Sequence, residues 1–482
     1  MQLAAPSEPL DIPGFLKDFL EFEAQNNLFS QVAQGRRFWD YLRYVISSEC
    51  IYANYSYTEP MHSRRAQVLG EALGGLTAIA RESVRQARSY DLMIVNYSRT
   101  NRFDGRDVNI SSYPLIRHLA GRAKILLIDP LPLSRDVESL YPCDVMRSRP
   151  THLLDRLRSR LDVFSPAERA LFVQIGQALK KRYDVRIDIE RFARDHFLFQ
   201  LRRMRWYRRM LLKYRPKLIL YCDNANIKGL IEAAYDARIP TADMQHSLIS
   251  SSNILYRYPA GIGRLPTMSD SILTFGEVWN SQYSLPARRK AVGFPFFELK
   301  KKEALQAEFS ESTARERSVL IVAMVFSKDV FVHIALALSK LLPDYTIYYK
   351  LRAEDYSGWR ERYPAEFGER SNLLIIDSNE TPLYNFFARC AFQIGVNSTA
   401  LCEGMGFGLT TFILKTGWYR EMEYFYHREH VFLVETAEEI ADKIKCGLSP
   451  KARLDIDSLF KPNALHNLEN EIGEIVAGGK VQ

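Results

Sequence analysis

Asn397, Ser398 and Thr399 sit just beyond the apolar run FQIG, which ends at Gly395. All three are helix-capping types, and ALCEGMGFG after them reads as a helix. A cap of this kind presents free backbone N–H groups at the positive end of the helix dipole, an anion site suited to phosphate. Glu403 lies one turn into that helix, placed to reach a hydroxyl of the same ligand. Lys350 and Arg352 follow a second apolar run, YTIYYK, and two cations there suit the charge that develops on a departing phosphate. The plainer alternatives are an ordinary capped helix and surface charge at a strand end.

Three further residues have the chemistry of a general base. Asp104 lies in the polar stretch NYSRTNRFDGRDVN, Asp223 ends LILYCD, and His246 ends TADMQHS. Each falls where an apolar run stops. Asp104 also suits a turn, Asp223 a helix cap and His246 a loop contact. Of the three, His246 and Asp223 are the preferred site residues, with the choice of base left open between them. No Asp-x-Asp pair sits at a strand end, and no His, Cys and Asp cluster has metal-ligand spacing, so no metal is expected.

These residues need strands to carry them. YDLMIVNYS and KILLIDP are short apolar runs closed by breakers. PKLILYCD, ANIKGLIEAAYDARI and TADMQHS then follow as strand, helix and strand, the pattern of a parallel crossover. SILTFG and AVGFP add two more. After residue 317 the alternation is cleaner: SVLIVAMV, YTIYYK, NLLIIDS, FQIGVN, TTFILK and VFLVET are separated by helical stretches. Uninterrupted apolar strands fit parallel sheets covered on both faces. The expected class is therefore α/β, with two Rossmann-like doubly wound domains facing a central cleft. The expected boundaries are a helical N-terminal extension at 1–85, a first domain at 86–297, a charged linker at 298–317 and a second domain at 318–482. Neither GxGxxG for a dinucleotide nor GxxxxGK[ST] for ATP occurs convincingly.

The bulk properties agree. At 482 residues the chain is long enough for two cores, and 47% hydrophobic with 25% charged residues is an ordinary globular balance. A net charge of +8 is modest for this length, and no nucleic-acid partner is expected. No apolar run approaches the roughly 18 residues a membrane span requires, and the N-terminus lacks a secretory pattern. Six scattered cysteines without CxxC spacing fit reduced, mostly buried thiols in a cytoplasmic protein. The segment 191–217 holds ten Lys or Arg with interleaved aromatics. It fits either a surface helix burying one aromatic stripe or a peripheral contact with the inner face of the plasma membrane.

The order of these motifs resembles the donor domain of GT-B glycosyltransferases. Lys-x-Arg after a strand, LY before a helix, and G-x-x-STA-x-x-E are most similar to capsule and lipopolysaccharide transferases, including sialic-acid and Kdo transferases, and to CDP-glycerol glycerophosphotransferases. Upstream, MQHSLISSSNILYRYP resembles their Q-H-G segment, and ILTFGEVW and VGFPFFE resemble their strand–Gly–helix and V-G-x-P junctions. The resemblance spans roughly 215–435. It implies a metal-independent transferase that uses a nucleotide sugar as substrate and needs no cofactor. Donor contacts would come from Lys350, Arg352, Gly395, Asn397, Ser398, Thr399, Glu403, Gly276 and Glu277, and the acceptor would be a glycan or lipid-linked glycan. Arg352 stands where many relatives carry His, and as a permanent cation it cannot act as acid or base. Ser247 replaces the Gly of Q-H-G. The alternatives are a CDP-alcohol polyol-phosphate transferase, a UDP-sugar epimerase, and a non-catalytic scaffold in polysaccharide assembly.

Overall fold

The computed structural model describes residues 11–52, 86–97, 100–103, 105–130, 136–148, 155–156, 158–159, 161–250, 252–281, 284–308, 317–324, 327–352, 355–426, 428–447 and 455–478. Two parallel sheets organise them. The first has seven strands: β1 (Leu92–Val95), β2 (Ile125–Asp129), β3 (Asp144–Arg147), β4 (Leu218–Tyr221), β5 (Thr241–Met244), β6 (Ser271–Thr274) and β7 (Arg288–Ala291). Its spatial order is β7-β6-β5-β4-β1-β2-β3. The second has six: β8 (Ser318–Val322), β9 (Thr346–Lys350), β10 (Leu373–Ile376), β11 (Phe392–Gly395), β12 (Thr410–Leu414) and β13 (Val431–Val434), ordered β10-β9-β8-β11-β12-β13. Each sheet starts in its middle and reverses direction once. The reversals lie between β1 and β4, where Leu92 pairs Leu218, and between β8 and β11, where Val319 pairs Phe392.

Burial on both faces explains the unbroken apolar runs. Along β1, Leu92 and Ile94 enter the main core, while Met93 and Val95 enter a second cluster beneath the helices Phe199–Tyr214 and Lys228–Ala237. Alternate residues of one strand thus serve two layers.

The helix Phe199–Tyr214 carries most of the basic, aromatic segment. Its Tyr207 and Tyr214 are buried, as is Phe197 just before it. Three of its five arginines pair with carboxylates: Arg202 with Asp162, Arg203 with Asp155 and Arg208 with Asp236. This is the surface helix with one buried aromatic stripe. Among the described residues, no helix is long and apolar enough to cross a membrane.

The helices Ile12–Gln25 and Trp39–Tyr52 are fastened to the first domain by buried charge. Arg43 donates from Nε and Nη2 to Glu23, each at 2.8 Å, and Trp39 Nε1 donates to the same carboxylate at 2.7 Å. Arg43 also donates to the carbonyls of Ile254 and Arg257, and its guanidinium lies 4.3 Å from the Tyr258 ring centre. Beside it, Lys228 pairs with Asp40 at 2.8 Å. A buried pair of this kind is costly to break from one side, by about 3–5 kcal/mol, because the other charge is stranded.

Two features bear on the expected boundaries. The stretch read as a charged linker begins inside the helix Pro295–Glu308, which buries Phe296, Phe297 and Ala304. Its Lys and Glu residues dominate the composition, whereas the rings that anchor it lie at its N-terminal end. The chain also returns to the first domain after the second sheet. Trp279 Nε1 donates to the Leu459 carbonyl at 2.9 Å, Lys461 N donates to the Phe275 carbonyl at 2.8 Å, and Arg288 pairs with Glu471 of the helix Ala464–Gly478.

Gly276 makes that return possible. A Cβ there would stand 2.1 Å from the Ser458 carbonyl oxygen, although its φ of −166° is ordinary extended backbone. Gly276→Ala should therefore destabilise the fold by about 1–3 kcal/mol in urea unfolding, through overpacking. Unchanged stability would remove the packing role.

Candidate functional site

Parallel strands end on one side of their sheet, and ligands in such folds gather beyond those ends at the strand-order reversal. In the first domain β4 stops at Tyr221, and Asp223 takes a left-handed conformation with φ 66° and ψ 75°. Such a conformation is uncommon for a residue with a side chain and costs on the order of 1 kcal/mol or more. The turn brings the Asp223 amide to His246 beyond β5, donating to Nδ1 at 3.3 Å. Asp223 Oδ2 accepts from Asn226 at 2.6 Å. The His246 ring lies 5.4 Å from that of Tyr97, which follows β1. Two of the three candidate bases thus converge on the reversal between β1 and β4. Asp104 lies outside the described residues.

The contact to His246 fixes a chemical detail. Nδ1 accepts, so the neutral ring carries its proton on Nε2. His246 then has a ring N–H to offer at Nε2, and the Asp223 carboxylate lies beside it.

In the second domain, β11 ends at Gly395, where a Cβ would run into the Leu401 side chain at 2.8 Å. Ser398 caps the helix Thr399–Gly406, its Oγ accepting from Ala400 N at 3.1 Å. Asn397 Nδ2 donates to Glu421 Oε2, while Asn397 Oδ1 is buried with no partner among the described residues. Burial pushes the Glu421 carboxyl up to about 6 against the opposing Asn397 hydrogen bond. Glu403 is half-buried on the same helix and, together with burial, holds the Tyr384 phenol well above its ordinary range.

Lys350 ends β9 and is nearly buried. Its Nζ donates to Tyr356 Oη at 2.7 Å, to Asn379 Oδ1 at 3.2 Å and to the Ser378 carbonyl. Burial lowers its pKa to about 8, with the Asp377 carboxylate opposing. The Arg352 side chain is exposed two residues on. Gly276 and Glu277 are placed differently. Gly276 is covered by the returning chain, and Glu277 is exposed and accepts from Asn280 at 2.6 Å.

The two halves meet. A narrow crevice is lined by Leu248, Ile249 and Ser250, by Val278 and Trp279, and by Glu421 and Phe425. The first group directly follows His246, and Glu421 holds Asn397. Glu421 was not singled out from sequence, because it lies in a charged, aromatic stretch with no motif of its own. The rule that directs attention beyond each strand end would have found it after β12. Asp243 was also missed: it is an acid inside a fully buried strand, which is itself a signal.

No protein-family model matches the chain, and no curated protein matches it by sequence. Solved structures do. UDP-GlcNAc 2-epimerase from Neisseria meningitidis, bound to UDP-GlcNAc, aligns over 80% of this chain and 99% of its own, with a TM-score of 0.50 and 14% identity. A putative UDP-N-acetylglucosamine 2-epimerase from Listeria monocytogenes aligns over 82% and 99%, at 0.49 and 12%. MurG from Acinetobacter baumannii aligns over 80% and 99%, at 0.46 and 8%. At such identities the likeness is one of architecture, and that architecture, two parallel-sheet domains with their strand ends turned to a common cleft, is the GT-B fold.

Proposed function

We propose that the chain is a glycosyltransferase, holding a nucleotide sugar at the strand ends of the second domain and a glycan or lipid-linked glycan acceptor at those of the first. The observation that carries this reading is the crevice in which the segment after His246 meets the Glu421 that holds Asn397. The N. meningitidis structure of the same fold is described as bound to UDP-GlcNAc, which supports a nucleotide sugar as ligand. The donor phosphates would lie on the N-terminus of Thr399–Gly406, with Lys350 and Arg352 supplying positive charge and Glu403 a sugar or ribose contact. Asp223 would take the acceptor hydroxyl proton as the oxygen attacks the anomeric carbon. The bond from that carbon to phosphate breaks, and the nucleotide leaves with the electron pair. Nε2–H of His246 would orient the acceptor. A bacterial surface polysaccharide remains the acceptor class we favour, on the motif order of residues 215–435. A cytoplasmic setting with peripheral membrane contact is part of that reading.

A second reading is epimerisation of a UDP-sugar, favoured by the same neighbour. It differs in product: a changed nucleotide sugar appears without any acceptor. Incubation with UDP-GlcNAc alone, followed by product analysis, separates the two.

Thermal shift and calorimetry against CMP, CDP, UDP and GDP and their sugars should show one stabilising class. Lys350→Ala or Arg352→Ala should weaken it about tenfold, ~1.4 kcal/mol. Because Lys350 is charged only below about 8, affinity should fall as pH rises through that value, and Lys350→Arg should flatten the fall. Unchanged affinity in both alanine variants would remove the phosphate cradle.

Asp223→Ala should lower kcat by about 10²–10⁴ with little change in donor affinity, the range for loss of a general base. His246→Ala should lower it less. Parent rates in both variants would place the base elsewhere.

A further inference from the structure

Asp243 takes no part in the reaction just described, yet it lies directly under the turn that presents Asp223. It sits in β5 with no exposure. Asn224, the residue after Asp223, donates from Nδ2 to Asp243 Oδ2 at 3.0 Å, and Tyr256 Oη donates to the same oxygen at 3.3 Å. Two buried oxygens are then left without a donor among the described residues: Asp243 Oδ1 and Asn224 Oδ1. Two unpaired acceptors on side chains already bonded to each other are an expensive arrangement. A carboxylate cannot relieve it, being an acceptor only. A carboxylic acid can. A proton on Oδ1 would let the acid donate to Asn224 Oδ1 while its Oδ2 accepts from Nδ2, each group donating once and accepting once.

We propose that Asp243 is a positioning residue kept as the neutral acid, whose proton joins it to Asn224 and so holds the left-handed turn that aims Asp223 at the cleft.

The surroundings agree. The Asp223 carboxylate opposes ionisation of Asp243, and the Lys228 ammonium favours it but is committed to Asp40 at 2.8 Å. The Tyr256 hydroxyl faces it as a hydrogen-bond donor, and burial raises the Tyr221 phenol and the Cys222 thiol, which also face it. Burial is the largest influence and, against the Asn224 hydrogen bond, carries the Asp243 carboxyl up to about 7. The catalytic consequence rests on the reading of Asp223 as base; the protonation and its hold on the turn do not.

The test is Asp243→Asn, whose amide reproduces the donor and acceptor of the acid but does not titrate. A carboxyl raised in the folded state contributes stability that is complete below its unfolded pKa, near 4, and is lost as pH rises to about 7. The unfolding constant of the wild type relative to Asp243→Asn should therefore climb about tenfold per pH unit across that window and level off above it. Parallel profiles would overturn the protonation. Hydrogen exchange of the amides of residues 222–226 should match in the two proteins at pH 5.5 and be at least several-fold faster in the wild type at pH 8.5. Equal exchange at both pH values would overturn the positioning role. A variant that fails to fold at pH 5.5 would also contradict the proposal, because there it mimics the acid. Neither readout uses a nucleotide sugar, so failure of the proposed reaction is distinguishable from failure of this inference.

Discussion

Every strand in the two large sheets runs parallel to its neighbours, and the location of the site follows from that constraint. A parallel strand can be reached only by a crossover, so each chain segment leaves its sheet on the same side. Residues that follow strands are thereby collected: Tyr97 after β1, Asp223 after β4 and His246 after β5 in one domain, with Lys350 after β9 and Asn397 after β11 in the other. None of these side chains is near another in sequence across the domains. The topology, rather than any single motif, assembles them.

That topology leaves the loops beyond the strands to be stiffened by other means. The first domain uses charge. Arg43 holds the carbonyls of Ile254 and Arg257, which belong to the chain that continues from the His246 loop, and Glu23 neutralises it from the N-terminal helix. Elsewhere in the first domain the returning chain does this work. Phe460 stacks on Phe297 at 4.1 Å, and Leu459 accepts from Trp279, so the C-terminal segment ties the helix Pro295–Glu308 to the loop beyond β6. Both devices act on segments flanking the crevice, so the N- and C-terminal additions support the site rather than decorate the fold.

Much of this was legible in the sequence, for a physical reason. Strands buried on both faces must be apolar throughout, so runs such as KILLIDP and TTFILK stand out whatever packs against them. The capping types at 397–399 likewise announce a helix start. What stayed hidden depended on tertiary partners. The resemblance implies Gly276 as a donor contact; that the Ser458 carbonyl, 182 residues away, packs against it is something no local pattern shows. Glu421 becomes notable only when Asn397 is seen to bond it. In the basic aromatic segment the burial of Phe197, Tyr207 and Tyr214 likewise depends on partners that composition does not name. Asp104, in a polar stretch beyond β1, stays an expectation outside the described residues.

The central claim is that a nucleotide sugar occupies the strand ends of the second sheet, against the N-terminus of Thr399–Gly406. Photolabelling of the whole protein with azido derivatives of UDP-, CMP- and GDP-sugars, followed by mapping of the modified peptides, tests it most directly. The account predicts one nucleotide class labelling residues 395–403 and the stretch around Lys350, suppressed by the free nucleotide. Saturable labelling confined to the first domain would contradict it.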